Sequence, residues 1–413
     1  MEKFFILLMI LILFVSCMTD TPPRIIDSSR SHWQLYDDEP ETYEEPKPIP
    51  MTVMYRREGV EFARFEPPEG TYVGAWLAPD TSIRVFEHVM EKRHAIFAHE
   101  LHLGDDIPIS WLLHCIASLA TPLFVIHPPN NPELYDVSVY DLIEYLAQRL
   151  GSFNLPMFIA FYADDSHGLM PAEFTLLFRR ARNIFLHHAP MAAFVWSAPS
   201  HTATPQNPFY PGHTAVDWVA LPLLATWNAQ TDFKNILEQF ETFYNSFSEH
   251  KPIMILPLGV SHFTRGDYTY RLTQAASEII RVYEALRNFP RLGLIIYADA
   301  LTLAHAHSED FSVSVEAELV DAYRQAVSCA QFLPSLVRTT EETMRFVRSA
   351  FNGYYFDGTI YLSPQTLENE LKIPPPRQKT KINGSYFIEA GRISGKKIFA
   401  CQDRQVIFID NMP

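Results

Sequence analysis

Along residues 70–300, short runs of apolar, β-branched and aromatic side chains alternate with longer stretches whose apolar positions repeat at the period of a helix. The runs at 72–76, 95–101, 123–127, 157–162, 192–196, 217–221, 253–257 and 294–298 read as eight strands. Stretches at 82–90, 109–119, 139–150, 171–186, 231–248, 272–288 and 315–329 read as helices, and the fifth connection, 197–215, as a long Pro-rich loop. Phe158-Ile159-Ala160-Phe161 and Leu294-Ile295-Ile296-Tyr297 are continuously apolar, as strands buried on both faces must be. The predicted fold class is α/β, a (β/α)8 TIM barrel, in which functional groups sit on the loops after the strand C-termini. The alternative, an open doubly wound sheet, wants a Gly-rich phosphate turn after its first strand, whereas Gly74-Ala75-Trp76 runs into Leu77-Ala78-Pro79-Asp80.

After about residue 340 the pattern changes to short alternating segments at 358–362, 384–388, 397–400 and 405–409, which predict a small C-terminal β-rich domain over 340–413. The barrel is assigned to 51–335. Residues 18–50 are rich in Pro, Ser, Asp and Glu and bury too little apolar surface to order themselves, so they read as a tether.

At the N-terminus, Lys3 precedes 12 apolar residues from Phe4 to Val15. A bilayer span needs about 20, so residues 1–17 read as an export signal. Phe14-Val15-Ser16-Cys17 resembles a lipobox with Phe in place of Leu, which makes Cys17 the expected lipidation site and the expected location a bacterial cell envelope. An ordinary secretory signal with an accidental cysteine is the alternative. Cys115, Cys329 and Cys401 show no metal or disulfide spacing. A net charge of −15 argues against nucleic acid and against anionic headgroups, which leaves the acyl chain to hold the protein at the membrane.

Several blocks then acquire a meaning as a set. Val73-Gly74-Ala75-Trp76, Phe86-Glu87, Lys92-Arg93-His94-Ala95-Ile96, Thr121-Pro122-Leu123, Phe194-Val195-Trp196-Ser197-Ala198-Pro199, Tyr210-Pro211-Gly212, Val216-Asp217-Trp218-Val219 and Lys251-Pro252-Ile253-Met254-Ile255 ahead of Gly259 resemble, in order, blocks of family 26 glycoside hydrolases, the retaining β-mannanases and relatives. The resemblance covers about residues 70–330. It implies two carboxyl groups about 5–5.5 Å apart, one acid/base and one nucleophile. The acid/base belongs to a His-Glu-x-Asn-Gly motif after the fourth strand, and Asp164-Asp165-Ser166-His167-Gly168 stands there, so Asp165 takes that place. Its side chain is one methylene short, a setback of about 1 Å that can cost about 10²-fold in rate. The Arg that usually precedes the motif is Phe161. The nucleophile belongs to a Lys-Pro…Glu-x-Gly pattern after the seventh strand, where Pro257 replaces the glutamate. After the sixth strand the family's Gly-x-Asp-x-Tyr is replaced by Ala220-Leu221-Pro222-Leu223-Leu224.

Glu100 and Asp299, at the ends of the second and eighth strands, are candidate substitute carboxylates, either one to pair with Asp165, and an inverting pair needs about 6.5–9.5 Å between its two carboxyls. The competing reading makes both of them rim groups bonded to loops. No cofactor or metal is implied. His99-Glu100-Leu101-His102 is one residue short of a zinc motif, and a spacing of three on a strand sends the imidazoles to opposite faces. His187-His188 and His305-Ala306-His307 are incomplete as ligand sets, and Ser261-His262 has no nucleophile elbow around it. Trp76, Tyr162, Trp196, Tyr210, Trp218, Trp227 and His262 are the candidates to line a glycan cleft, about half of them expected to turn into the core instead. Three functions follow: an inactive barrel that binds a polysaccharide (β-glycan) or scaffolds in the envelope, an active endo-β-glycanase with a rearranged carboxylate pair, or a barrel whose cleft is filled by its own side chains.

Overall fold

The computed structural model describes residues 47–57, 62–127, 138–162, 170–198, 205–227, 233, 235–264, 268–300, 309–337, 345–349, 351–394, 396–402 and 405–410. The first strand, β1 (Ile49–Arg57), belongs to a second sheet. The barrel is built from β2 (Thr71–Leu77), β3 (Ile96–His102), β4 (Thr121–His127), β5 (Met157–Tyr162), β6 (Ala192–Ser197), β7 (Trp218–Ala225), β8 (Ile253–Val260) and β11 (Leu292–Asp299). All are parallel neighbours, and β11 pairs with both β8 and β2, which closes the ring. A short hairpin of β9 (Phe263–Thr264) and β10 (Thr269–Tyr270) follows β8, and β12 (Phe332–Leu333) pairs with the start of β2.

Each predicted helix is present, as α1 (Ile83–Met90), α2 (Ile109–Ala117), α3 (Val139–Gly151), α4 (Pro171–His188), α5 (Ile236–Phe247), α6 (Leu272–Leu286) and α7 (Ala317–Val327). The described part of the fifth connection holds no helix. Helix α5 starts later than its periodicity predicts, because Phe233 forms an antiparallel bridge with Trp227 and its backbone is committed elsewhere.

Alternation along the strands sorts side chains into two layers. Tyr72, Leu123, Phe158, Trp218, Met254 and Leu294 fill the barrel interior, while Phe97, Phe124, Ile159, Phe194, Val219 and Ile255 face the helices. Trp218 fits inside because residue 293 is glycine: a Cβ there would lie 2.6 Å from the indole.

The N-terminal end of the barrel is closed by residues 63–66. Arg64 donates to the carbonyls of Pro190 and Ala192, and its own carbonyl accepts from Trp218 Nε1 at 2.7 Å. Phe65 packs edge-on against Phe158. Glu66 and Arg291, each 2 % exposed, form an ion pair at 3.1 Å, and Arg291 also donates to the Ser248 and His250 carbonyls.

The sixth and seventh strands, β7 and β8, run beyond their predicted ends. Leu221 pairs with Ile255 and Leu223 with Leu258, so Pro222 opposes two residues, Leu256 and Pro257. This bulge, at a cis Leu256–Pro257 peptide, lets pairing resume at Leu258 after a residue that cannot donate to a ladder.

The second sheet runs β16 (Thr380–Ile382), β17 (Ser385–Glu389), β15 (Thr359–Leu362), β14 (Gly353–Phe356), β1, β19 (Val406–Asp410), β18 (Lys397–Cys401), with β13 (Arg345–Arg348) also on β1. The predicted β domain is therefore present, but residues 49–57, assigned by sequence to the tether and barrel, form its central strand. Met51, Val53 and Tyr55 pack on one face with Leu362, Ile388 and Ile407, and Met54 packs on the other with Val406. The partners of this strand lie at the far end of the chain, beyond the reach of any local pattern.

Candidate functional site at the barrel mouth

The inner face of the strands continues past the packed interior to the C-terminal mouth, and what it carries there differs from side to side. On β2, Trp76 faces inward and is half-buried between Ala98 and Ala298 of the adjoining strands. On β3, Ile96 and Ala98 face the interior, so alternation turns Glu100 and His102 inward as well. Register then aligns Glu100 with Val125 and His102 with His127 of β4. Glu100 Oε1 lies 3.2 Å from His127 Nε2 and 3.8 Å from His102 Nε2, and the two imidazoles are 5.1 Å apart. Glu100 is half-exposed. The opposite arc, on β7 and β8, presents Pro222, Leu224 and Leu256, with Pro257 in the bulge beside them, all without ionisable groups. Between the arcs Ser197, fully buried, keeps an Oγ without a partner among the described residues.

Among the described strand residues, Glu100 is the one carboxylate on the inner face of the mouth. Asp299 faces outward with Tyr297, is 2 % exposed, and is consumed by the loop before α7. Its Oδ1 accepts from the backbone N–H groups of Val313 (2.7 Å) and Ser314 (3.0 Å), and its Oδ2 from the Ser314 hydroxyl (2.7 Å). Burial raises its pKa and these donors only partly offset that. As a substitute catalytic group Asp299 is thus corrected to a structural one. Asp299→Ala, which leaves those donors buried and unpaired, is expected to lower the unfolding free energy by about 1–3 kcal/mol, measured by urea denaturation; an unchanged midpoint would reject this role.

Other candidates are corrected by the same sorting. Trp196 is fully buried between the barrel and the helices, edge-on to Tyr210 and against Phe247. Tyr210 packs there too, its hydroxyl 2.9 Å from His213 Nδ1. Trp218 lies at the opposite end of the interior, at the start of β7. His262 is 1 % exposed, with Nε2 3.3 Å from Asp310 Oδ2, and so is closed to a sugar hydroxyl. Burial works to raise the pKa of Asp310, but the hydrogen bonds from His262 and Ser312 bring it below the ordinary value. Trp227 sits against α6 rather than in the mouth. His99 turns outward onto the Trp111 ring, opposite in sense to His102, as the spacing of three predicts.

Tyr162 ends β5. Cys17, Asp164, Asp165, His167, His305 and His307 lie outside the described residues. Within the described residues, no group of three or more His, Cys, Asp or Glu side chains has the arrangement of a metal site, and no helix is long and apolar enough to cross a membrane. The residue that sequence reasoning missed is His127. Only the register of β3 on β4 reveals that it shares a face with Glu100 and His102.

No family model matches the chain, and no curated protein matches it. Among solved structures it is similar to a GH26 β-mannanase from Bacteroides ovatus, at 11% identity and a TM-score of 0.46 over 66% of this chain and 92% of that one. It is also similar to a family 39 glycoside hydrolase from the gut symbiont Bacteroides cellulosilyticus (11% identity, TM-score 0.48, 80% of each chain). A third likeness is to GH26C from a Muricauda species (10% identity, TM-score 0.47, 66% of this chain and 91% of that one).

Proposed function

We propose that the barrel binds a polysaccharide at its mouth without cleaving it, as part of an exported protein held to a bacterial membrane by a lipid on Cys17. The observation that carries this reading is the composition of the inner face. The place that the family 26 resemblance gives to the nucleophile holds Pro257, flanked by Leu256 and Pro222. A proline side chain can neither attack an anomeric carbon nor stabilise an oxocarbenium ion, so the double displacement lacks its first step. A half-buried indole, Trp76, beside a carboxylate and two imidazoles supplies what sugar recognition uses: an apolar ring face and polar groups for hydroxyls.

The test is a purified chain offered β-mannan, mixed-linkage β-glucan and xylan. Retardation in a gel containing one of these polymers, with no new reducing ends, is expected, and Trp76→Ala should weaken retention about tenfold or more. Release of reducing ends would overturn the inactive barrel, and failure to bind any polymer would favour a cleft filled by its own side chains. The anchor is tested separately: incorporation of labelled fatty acid should disappear in Cys17→Ser.

Glu100 favours a second reading. A carboxylate on the inner face, paired with Asp165, which the sequence puts after the fourth barrel strand, is the minimum an inverting glycosidase requires. That enzyme would hydrolyse one of the same polymers and would lose turnover in both Glu100→Gln and Asp165→Asn.

A further inference from the structure

Outside the mouth, Trp227 and Phe233 line a cleft together with residues of α6. Trp227 and Phe233 pair through an antiparallel bridge and bring their rings to 4.1 Å with a 36° tilt. The indole is held in place by its Nε1–H, which donates to the Ser261 carbonyl at 2.9 Å, and by the Arg271 guanidinium 5.7 Å from its centroid. Between these rings and α6 lies a cleft of about 340 Å³, at the lower end of the range of roughly 300–1,000 Å³ for small-ligand sites.

The helix wall of this cleft is polar in a specific way. Gln274, Ser277, Glu278 and Arg281 are spaced i, i+3, i+4, i+7 and so share one stripe of α6. Arg281 clamps the Glu278 carboxylate through Nε and Nη2, both at 2.6 Å, in a flat bidentate pair with no net charge. Glu278 is nearly buried in forming it, while half of the Arg281 side chain stays exposed. Gln274 and Ser277 are exposed, and the Ser277 hydroxyl donates to the Thr273 carbonyl, which leaves its oxygen lone pairs to accept.

We infer that this cleft is a second binding site, for one or two neutral pyranose units of a glycan chain. A pyranose has apolar C–H faces and a hydroxyl rim, and the cleft is lined by aromatic rings on one side and by amide, hydroxyl and guanidinium groups on the other. A purely apolar ligand would cover the exposed Gln274 amide and the exposed half of Arg281 without bonding to them. A polyanionic one would meet a neutralised pair on a chain of net charge −15. None of these residues belongs to the barrel mouth, so the site stands or falls independently of the function proposed there.

The experiment is calorimetric titration of the full chain with mannohexaose and with cellohexaose, repeated in a Trp76→Ala background that weakens the mouth. Hexasaccharide binding should persist in that background and weaken about tenfold on adding Gln274→Ala, the loss expected for one or two hydrogen bonds. Gln274→Ala replaces an exposed helical residue with the best helix former, so folding is preserved. Trp227→Ala, with its fold verified by thermal melting, should weaken binding at least as much. The inference is overturned if neither change alters binding in the Trp76→Ala background, or if Trp76→Ala alone abolishes all binding; the second result would leave the mouth reading intact. Persistent binding in that background, sensitive to Gln274→Ala, with no effect of Trp76→Ala on the wild-type isotherm would support the cleft and count against the mouth. Absence of binding by the unaltered chain to both hexasaccharides would reject the cleft.

Discussion

Arg291→Met should destabilise the protein by about 3–5 kcal/mol, the largest effect of any single substitution considered. Glu66 and Arg291 are each 2 % exposed and meet at 3.1 Å beneath the barrel floor. Removing the guanidinium leaves a carboxylate buried without its counter-charge and deprives the Ser248 and His250 carbonyls of a donor. The Glu66 carboxylate would still accept from the neutral N–H of Ala63 at 2.9 Å. The pair as a whole is a different matter, because burying two charges costs much of what their attraction returns. The double variant Glu66→Leu, Arg291→Met is therefore expected to recover a substantial part of the loss. Urea midpoints of wild type, single and double variants check this, and a single variant within about 1 kcal/mol of wild type would show that the floor does not depend on the pair.

Between pH 6.5 and 4 the protein should lose about 3 kcal/mol of stability through one histidine. His94 is 1 % exposed, with Nε2 3.0 Å from the Tyr323 hydroxyl and its ring stacked on the Tyr323 ring. Burial pushes its pKa down from 6.5 to about 3. An unfolded chain takes up a proton here below about pH 6.5 that the folded chain refuses, so the unfolded state gains about 1.4 kcal/mol for each unit of pH down to the folded value. Stability is thus intact above 6.5 and falls with acidification. His99 and His213, also lowered by burial, act in the same direction. Asp310, already below its ordinary value, contributes only at lower pH, as its carboxylate is protonated. The diagnostic is the difference in slope between wild type and His94→Gln, which keeps a polar group for Tyr323 but does not titrate. Equal slopes between pH 4 and 6.5 would reject the assignment.

The mouth illustrates how far a linear pattern reaches. Period-2 and period-3.6 patterns located every barrel strand and helix, because strands buried on both faces must be apolar throughout and helices packed on one side must be apolar on that side. The same logic predicted that His99 and His102 would part. It could not say which of the aromatic and imidazole candidates would be buried, as Trp196, Trp218, Tyr210 and His262 are, since such a side chain near a strand end satisfies the pattern equally well facing interior, helix or solvent. It failed for Asp299 because a carboxylate at a strand end looks the same whether it awaits a substrate or holds the Val313 and Ser314 amides.

The strand–helix alternation, the count of strands and the change to a β-rich texture near residue 340 were all legible in the sequence, because each is local in the chain. Tertiary structure alone decided that residues 49–57 lie at the centre of the distant sheet, that His127 joins Glu100 and His102, and that Trp227 turns away from the mouth to α6. The physical reason is register: which residues face each other across strands, and which layer a side chain enters, depends on pairings between segments far apart in the chain, set by the closure of the whole barrel and sheet rather than by any window of neighbours.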